Sequence, residues 1–240
     1  MDIVDNNSIE YQTLGNVQLT RLMSAGHHPS ATPEFVMNDI RERGFKPYFI
    51  PAGASDHPLG GLGFARWAFE VVEQERELNT FFDTVVVAVA SGSTLGGMVA
   101  GFKLADQNDA TTMSGGRRCR TLIGVEAYTI PKHDIVKNVL KIAKATAVHL
   151  GLEGSNITEK DFIVDDRFTG LAYGKLDMAT KKTINEMAAT EGILLDPVYS
   201  GKAATGMLDM ARNDENFQRS NILFCHTGGQ ISLSAYAQEI

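Results

Sequence analysis

Four consecutive small residues, Ser91, Gly92, Ser93 and Thr94, follow a run of apolar, mostly β-branched residues and precede a stretch of helical character. They read as a buried strand feeding a tight turn at a helix N-terminus. Such a turn aims unpaired backbone N–H groups and the positive end of the helix dipole at one spot, where an anion, usually a phosphate, sits. The three hydroxyls add further polar groups. The plainer alternative is an ordinary strand-to-helix turn with Thr94 as N-cap. No Gly-Lys-Ser/Thr closes the turn as in a P-loop, and Thr94 stands where a dinucleotide fingerprint has its second glycine. Glu126, ending the next predicted strand, imitates the ribose-binding acid of such a fold and keeps a nucleotide among the competing ligands.

Three other segments carry residues of the same kind. Pro51-Ala-Gly-Ala-Ser-Asp-His-Pro-Leu-Gly-Gly-Leu-Gly63 is a loop rich enough in glycine for its backbone to approach a ligand closely, with Ser55, Asp56 and His57 either functional or solvated. Asp196-Pro-Val-Tyr-Ser-Gly-Lys202 presents Tyr199 and Ser200 just before a helix, and His226-Thr-Gly-Gly229 presents Thr227. Three hydroxyl-bearing turns at three strand ends would converge on one rim of one sheet, which is the argument for a pocket. His27 and His28 read as solvated. Cys225 and His226 alternate along a strand, point to opposite faces and cannot share one metal ion.

The elements that must position these turns alternate. Strands are predicted over 46–53, 84–90, 121–127, 162–166, 192–195 and 221–226. Helices are predicted over 63–78, 133–150, 177–191 and 202–213 from their apolar spacing. This order implies crossover connections and a mostly parallel sheet with helices on both faces, so ligands bind at the carboxyl ends of its strands. A helix is predicted over 17–23. The Gly- and Pro-containing stretch 26–33 then breaks the pattern, and 114–118 reads as a solvated loop.

A formal net charge of −7 disfavours nucleic acid or an anionic membrane as partner, since both demand a basic surface. The longest apolar run falls far short of the roughly 20 residues a spanning helix needs. The polar, acidic start is not a signal peptide, and two cysteines without CxxC spacing suggest neither a zinc site nor a disulfide framework. The expectation is a cytoplasmic protein acting on a small molecule.

Taken in order, Gly15-Asn-Val-Gln-Leu19, the 51–63 loop, Ser91–Thr94, the 196–202 turn and His226–Gly229 resemble the 1-aminocyclopropane-1-carboxylate deaminase/D-cysteine desulfhydrase family over nearly the whole chain. The resemblance implies an α/β, three-layer, parallel-sheet fold of the tryptophan-synthase-β type (fold type II), with pyridoxal 5′-phosphate as cofactor, an amino-acid substrate and a homodimer. It implies that Ser91, Gly92, Ser93 and Thr94 hold the cofactor phosphate and that Tyr199 and Tyr173 lie near the substrate. It also implies that Ser200 faces the pyridine nitrogen, where the deaminases carry Glu. Thr227 likewise stands where deaminases tend to have Leu and desulfhydrases Thr. Both differences lean towards elimination from D-cysteine, giving pyruvate, sulfide and ammonia.

The family's Schiff-base lysine, in a Gly-Gly-Asn-Lys segment, and its substrate-carboxylate segment Ser-Asn-His do not occur in this sequence. The resemblance therefore implies an N-terminally truncated chain. Residues 1–45 would be a remnant of a small domain, residues 46–240 the large cofactor-binding domain, and the chain as it stands inactive. Ring opening of 1-aminocyclopropane-1-carboxylate, and a non-catalytic ligand-binding or partner module, are the alternative functions.

Overall fold

The structure is a computed structural model that describes residues 9–26, 28, 31–55, 57–108 and 120–240. The 114–118 loop, Cys119, His27 and Asp56 lie outside the described residues.

Four parallel strands form one sheet in the order β3-β2-β1-β4: β1 (Thr84–Val89), β2 (Thr121–Glu126), β3 (Ile163–Asp165) and β4 (Ile222–Phe224). Thr84 stands opposite Thr121 on one side and Ile222 on the other, and Ile123 stands opposite Ile163. Side chains alternate across each strand, so β1 serves two cores. Val85, Val87 and Val89 join Leu122 and Val164 in one. Val86 joins Ile123 and Val125 in the other.

Helices cover both faces. On the first lie α4 (Leu62–Leu78), α5 (Ser93–Asn108) and α6 (Lys132–His149), contributing Val71, Leu95, Met98, Ile135 and Val139. On the second lies α8 (Ser200–Asn213), with α7 (Met178–Glu191) beside it. The short helix α9 (Glu215–Gln218) leads into β4. This layering is why β1 reads as a continuous apolar run: a parallel strand covered on both sides has no solvent face. Arg120 ties the first layer to the sheet. Its guanidinium makes two bonds to the Glu75 carboxylate, at 2.8 and 2.9 Å, and lies between the Phe81 and Phe102 rings.

Before α4 come α1 (Ile9–Thr13), α2 (Gly15–Leu22) and α3 (Pro33–Glu42). The Gly15 N–H donates to Ser234 Oγ at 3.1 Å, so the first described residues pack on the last turn of the chain, Gln230–Tyr236. Helix α3 was not expected. Thr32 caps it by accepting from the Phe35 N–H, and Pro33 opens it.

Two expected strands do not form. Residues 46–50 are without regular structure and the chain then enters a 3-10 turn at Ala52–Ala54. Pro47 and Pro51 each lack an N–H, so the segment cannot supply a regular ladder. Residues 192–195 also stay out of the sheet. Gly192 is the left-handed C-cap of α7, and the Leu194 carbonyl accepts from the His226 side chain at 2.8 Å.

Candidate active site

β1 ends at Val89 and α5 begins at Ser93. The turn between them needs Gly92, whose φ of 103° is one that side-chain-bearing residues rarely adopt. The first helical bond runs from the Gly96 N–H to the Gly92 carbonyl at 2.8 Å. Gly92, not Thr94, thus holds the N-cap place. The first-turn N–H groups of α5 have no carbonyl of their own helix to meet and face the carboxyl end of the sheet.

A second loop is sewn to this turn. The Ser93 hydroxyl donates to the Gly53 carbonyl at 3.0 Å and lies 3.1 Å from the Ser55 hydroxyl. Gly53 has φ 67°, and a Cβ there would lie 2.5 Å from Ser91 Oγ. The 51–63 loop is therefore a wall of the turn rather than a solvated excursion. His57, farther along it, accepts from the Leu59 N–H on Nδ1 and bonds Tyr48 through Nε2 at 2.5 Å, away from the cavity.

Gly53, the Ser91–Thr94 turn, Tyr199 and Thr227 line one cavity of about 240 Å³. The three hydroxyl-bearing turns do meet at one cavity, although only two of them follow strands, since 192–195 stays out of the sheet. Neither an acidic nor a basic side chain lines this cavity among the described residues. An anion there would meet helix-end N–H groups and hydroxyls, with no carboxylate to repel it.

Tyr199 reaches the cavity because Asp196 organises the turn before α8. The Asp196 carboxylate accepts from the N–H groups of Val198, Tyr199 and Ser200, at 2.8, 2.7 and 2.6 Å. Ser200 is buried and fully occupied. Its hydroxyl donates to Asp196 Oδ1 at 2.6 Å and accepts from the Asp196 N–H at 2.9 Å. It is not among the residues lining the cavity. Tyr173 does not line it either, but its hydroxyl bonds that of Tyr199, and Tyr128 packs edge-on against Tyr173 with ring centres 5.0 Å apart. Burial, then the Tyr173 bond, raise the pKa of Tyr199, so its hydroxyl keeps its proton.

His226 fixes the turn that carries Thr227. Its Nδ1 accepts from the Gly228 N–H at 3.1 Å, which leaves Nε2 to donate to the Leu194 carbonyl at 2.8 Å. The neighbouring Cys225 faces the first core, and burial pushes its thiol up to about 11.

Glu126 is no ribose ligand. It is fully buried, its Oε1 accepts from the Ile130 N–H at 3.0 Å, and its Oε2 meets no hydrogen-bond partner among the described residues. Burial raises its pKa towards the neutral form. Sequence reasoning also passed over Asp196 as a capping group and Lys202, which is fully buried. For Lys202, a charged residue inside an otherwise small-residue helix start was the available signal.

The family model described as "Pyridoxal-phosphate dependent enzyme" matches residues 10–228. This chain belongs to that family. It is 40% identical to the 1-aminocyclopropane-1-carboxylate deaminase of Ralstonia pickettii, over 98% of the chain and 68% of that relative. It is also 40% identical to a probable 1-aminocyclopropane-1-carboxylate deaminase of Cryptococcus neoformans, over 95% of the chain and 65% of that relative. Its structure is similar to that titled "Crystal Structure Analysis of the ACC deaminase homologue", with a TM-score of 0.77 at 27% identity, covering 95% of this chain and 66% of that one. O-ureido-L-serine synthase, at 13% identity and a TM-score of 0.55, shares the fold. The chain spans about two thirds of the length of the relatives it matches. No helix among the described residues is long and apolar enough to cross a membrane.

Pyridoxal phosphate is the family's cofactor, and the cavity has groups that fit a phosphate: helix-end N–H groups, the Ser91 and Thr94 hydroxyls and a Gly53 wall that a Cβ would obstruct. No lysine lines this cavity among the described residues. The residues lining the cavity offer polar groups for an anion and no amine for a covalent bond.

Proposed function

We propose that this chain is of a pyridoxal-phosphate-dependent lyase type most like D-cysteine desulfhydrase, whose reaction converts D-cysteine and water to pyruvate, hydrogen sulfide and ammonia, and that without the family's Gly-Gly-Asn-Lys lysine it is inactive as it stands. When bound, the cofactor supplies an electron sink for charge developing at the substrate Cα. Backbone N–H groups at Ser93 and Thr94, with the neighbouring hydroxyls, hold its phosphate. Tyr199 keeps its proton on Oη and serves as a hydrogen-bond donor in the cavity rather than as a base.

The observation that carries the choice of substrate is that no carboxylate lines the cavity among the described residues. Ser200 is a neutral hydroxyl already committed to Asp196, and Asp196 is itself saturated by three N–H groups and that hydroxyl. No carboxylate from this turn is left to hold a proton on the ring nitrogen. A weaker electron sink suits loss of a Cβ–S bond, which leaves readily, better than opening a carbon ring. Thr227, a hydroxyl lining the cavity, supports the same reading.

The names of the 40%-identical relatives favour a second reading, opening of 1-aminocyclopropane-1-carboxylate. Sulfide and ammonia release, measured side by side on D-cysteine, L-cysteine and the cyclopropane amino acid with the cofactor supplied, separates the two in a version of this chain completed with the family's Gly-Gly-Asn-Lys and Ser-Asn-His segments. Faster sulfide release from D-cysteine is expected. Faster ammonia release from the cyclopropane substrate would establish the second reading instead.

A further inference from the structure

Lys202 has no solvent exposure and is among the largest fully buried side chains of the protein. Burying an ammonium group is costly unless the fold uses it. It stands on α8, three residues after Tyr199, and its Nζ donates to the Thr169 carbonyl. At the next residue, Gly170 has φ 74°, and a Cβ there would lie 3.3 Å from Lys202 Nζ and 3.0 Å from Asp177 Oδ2. The backbone thus runs directly over the ammonium group, with the Asp177 carboxylate close by.

The segment it touches, Thr169 to Gly174, forms no helix or strand. Packing holds it at Tyr173, which meets the Tyr128 and Tyr199 rings, but not at its middle, where Leu171 is 92% exposed. Polar bonds grip it at both ends, Lys202 at the Thr169 carbonyl and the Tyr236 hydroxyl at the Gly174 carbonyl, the latter at 2.5 Å. Between these two grips lies Tyr173, whose hydroxyl bonds Tyr199.

We propose that Lys202 is a positioning residue: from inside the core it clamps the start of the Thr169–Gly174 segment and thereby holds Tyr173 against Tyr199. The importance of this for catalysis rests on the reading of Tyr199 as a cofactor-site residue, but the clamp itself does not, and it can be tested without cofactor or substrate.

The test follows the Tyr199 hydroxyl by NMR in the chain labelled with ring-¹³C tyrosine, the signal being assigned by its loss in Tyr199→Phe. In the wild type the buried, Tyr173-bonded Tyr199 hydroxyl is expected to resist ionisation at alkaline pH, and Tyr173→Phe, by removing its hydroxyl partner, to raise its ionisation constant about tenfold. Lys202→Met is expected to do the same, Lys202→Arg to retain most of the wild-type behaviour, and Lys202→Met combined with Tyr173→Phe to go no further than Tyr173→Phe alone. Unchanged Tyr199 titration in Lys202→Met, or additive effects in the double variant, would overturn the proposal. Borohydride reduction with pyridoxal phosphate that labels Lys202 would overturn it too, because a clamped amine is not free to react. Should Lys202→Met fail to fold, Tyr236→Phe frees the same segment at Gly174; it is expected to shift Tyr199 in the same direction, and no shift there contradicts the clamp. Activity assays are not part of this test, so an error about the substrate leaves its outcome unaffected.

Discussion

The Ser93 hydroxyl donates to the Gly53 carbonyl at 3.0 Å, joining two turns 40 residues apart in sequence into one wall of the cavity. Neither turn makes the cup alone. α5 offers its helix-end N–H groups, and the 51–63 loop closes over them.

Removing this joint should loosen the cup without abolishing it, since the backbone donors of α5 stay in place. Ser93→Ala is expected to weaken pyridoxal phosphate binding about tenfold, corresponding to one hydrogen bond of about 1.4 kcal/mol. Gly53→Ala should do more harm. It places a Cβ against Ser91 Oγ at a backbone φ of 67°, and both affinity and thermal midpoint are expected to fall. Equilibrium binding and thermal unfolding of the two variants check this ordering.

Ser200 is expected to behave as part of a buried turn. Ser200→Ala leaves the Asp196 N–H without its acceptor, which should destabilise the protein by about 1–3 kcal/mol. Ser200→Glu crowds a second carboxylate against buried Asp196 and should cost more than the alanine variant. Denaturant unfolding of the three proteins measures both differences. A Ser200→Glu variant as stable as wild type would show that position 200 opens towards the cavity after all.

Tyr199 gives the stability a pH dependence of definite sign. Its hydroxyl ionises near pH 10 in the unfolded chain but at a raised pKa when folded. Above that pH the folded state binds the extra proton, so stability declines as pH rises, while below it Tyr199 contributes no slope. Tyr199→Phe is expected to flatten this alkaline decline and leave the neutral region's slope unchanged. Stability curves taken from neutral to alkaline pH check it.

His226 should act on its neighbours through both ring nitrogens. His226→Ala removes the acceptor of the Gly228 N–H and the donor to the Leu194 carbonyl. The Gly228 amide is then expected to exchange its hydrogen at least about tenfold faster, the equivalent of losing one bond of about 1.4 kcal/mol. Exchange at β1 amides should stay unchanged, which hydrogen-exchange NMR resolves residue by residue.

Much of this architecture could be read from the residues alone, and the failures have physical causes. β1 and β2 were legible because covered parallel strands are continuous apolar runs, and the long helices because their buried positions recur with helical spacing. Residues 46–53 mimic a strand in composition, yet Pro47 and Pro51 withhold the N–H groups a ladder needs. α3 announced itself only through Thr32-Pro33, a cap signal easily lost in a Pro-rich stretch. At the site, Ser91–Thr94 and Thr227 could be placed on one rim because each follows the end of a strand, whereas Tyr199 reaches it from a turn whose expected strand, 192–195, does not form. The joint of Ser93 to Gly53, the Asp196 grip on Ser200 and the burial of Lys202 depend on distant chain segments meeting, which no local pattern encodes.

If the Ser91–Thr94 turn holds the phosphate of pyridoxal phosphate, as proposed, removing that phosphate from the ligand must cost affinity. The most direct test compares the affinity of the chain for pyridoxal phosphate with that for pyridoxal, which lacks only the phosphate. With charge-assisted bonds from the α5 N-terminus worth about 2–3 kcal/mol in total, pyridoxal phosphate should bind about 100-fold more tightly. Equal affinity for the two would contradict the assignment of the cup.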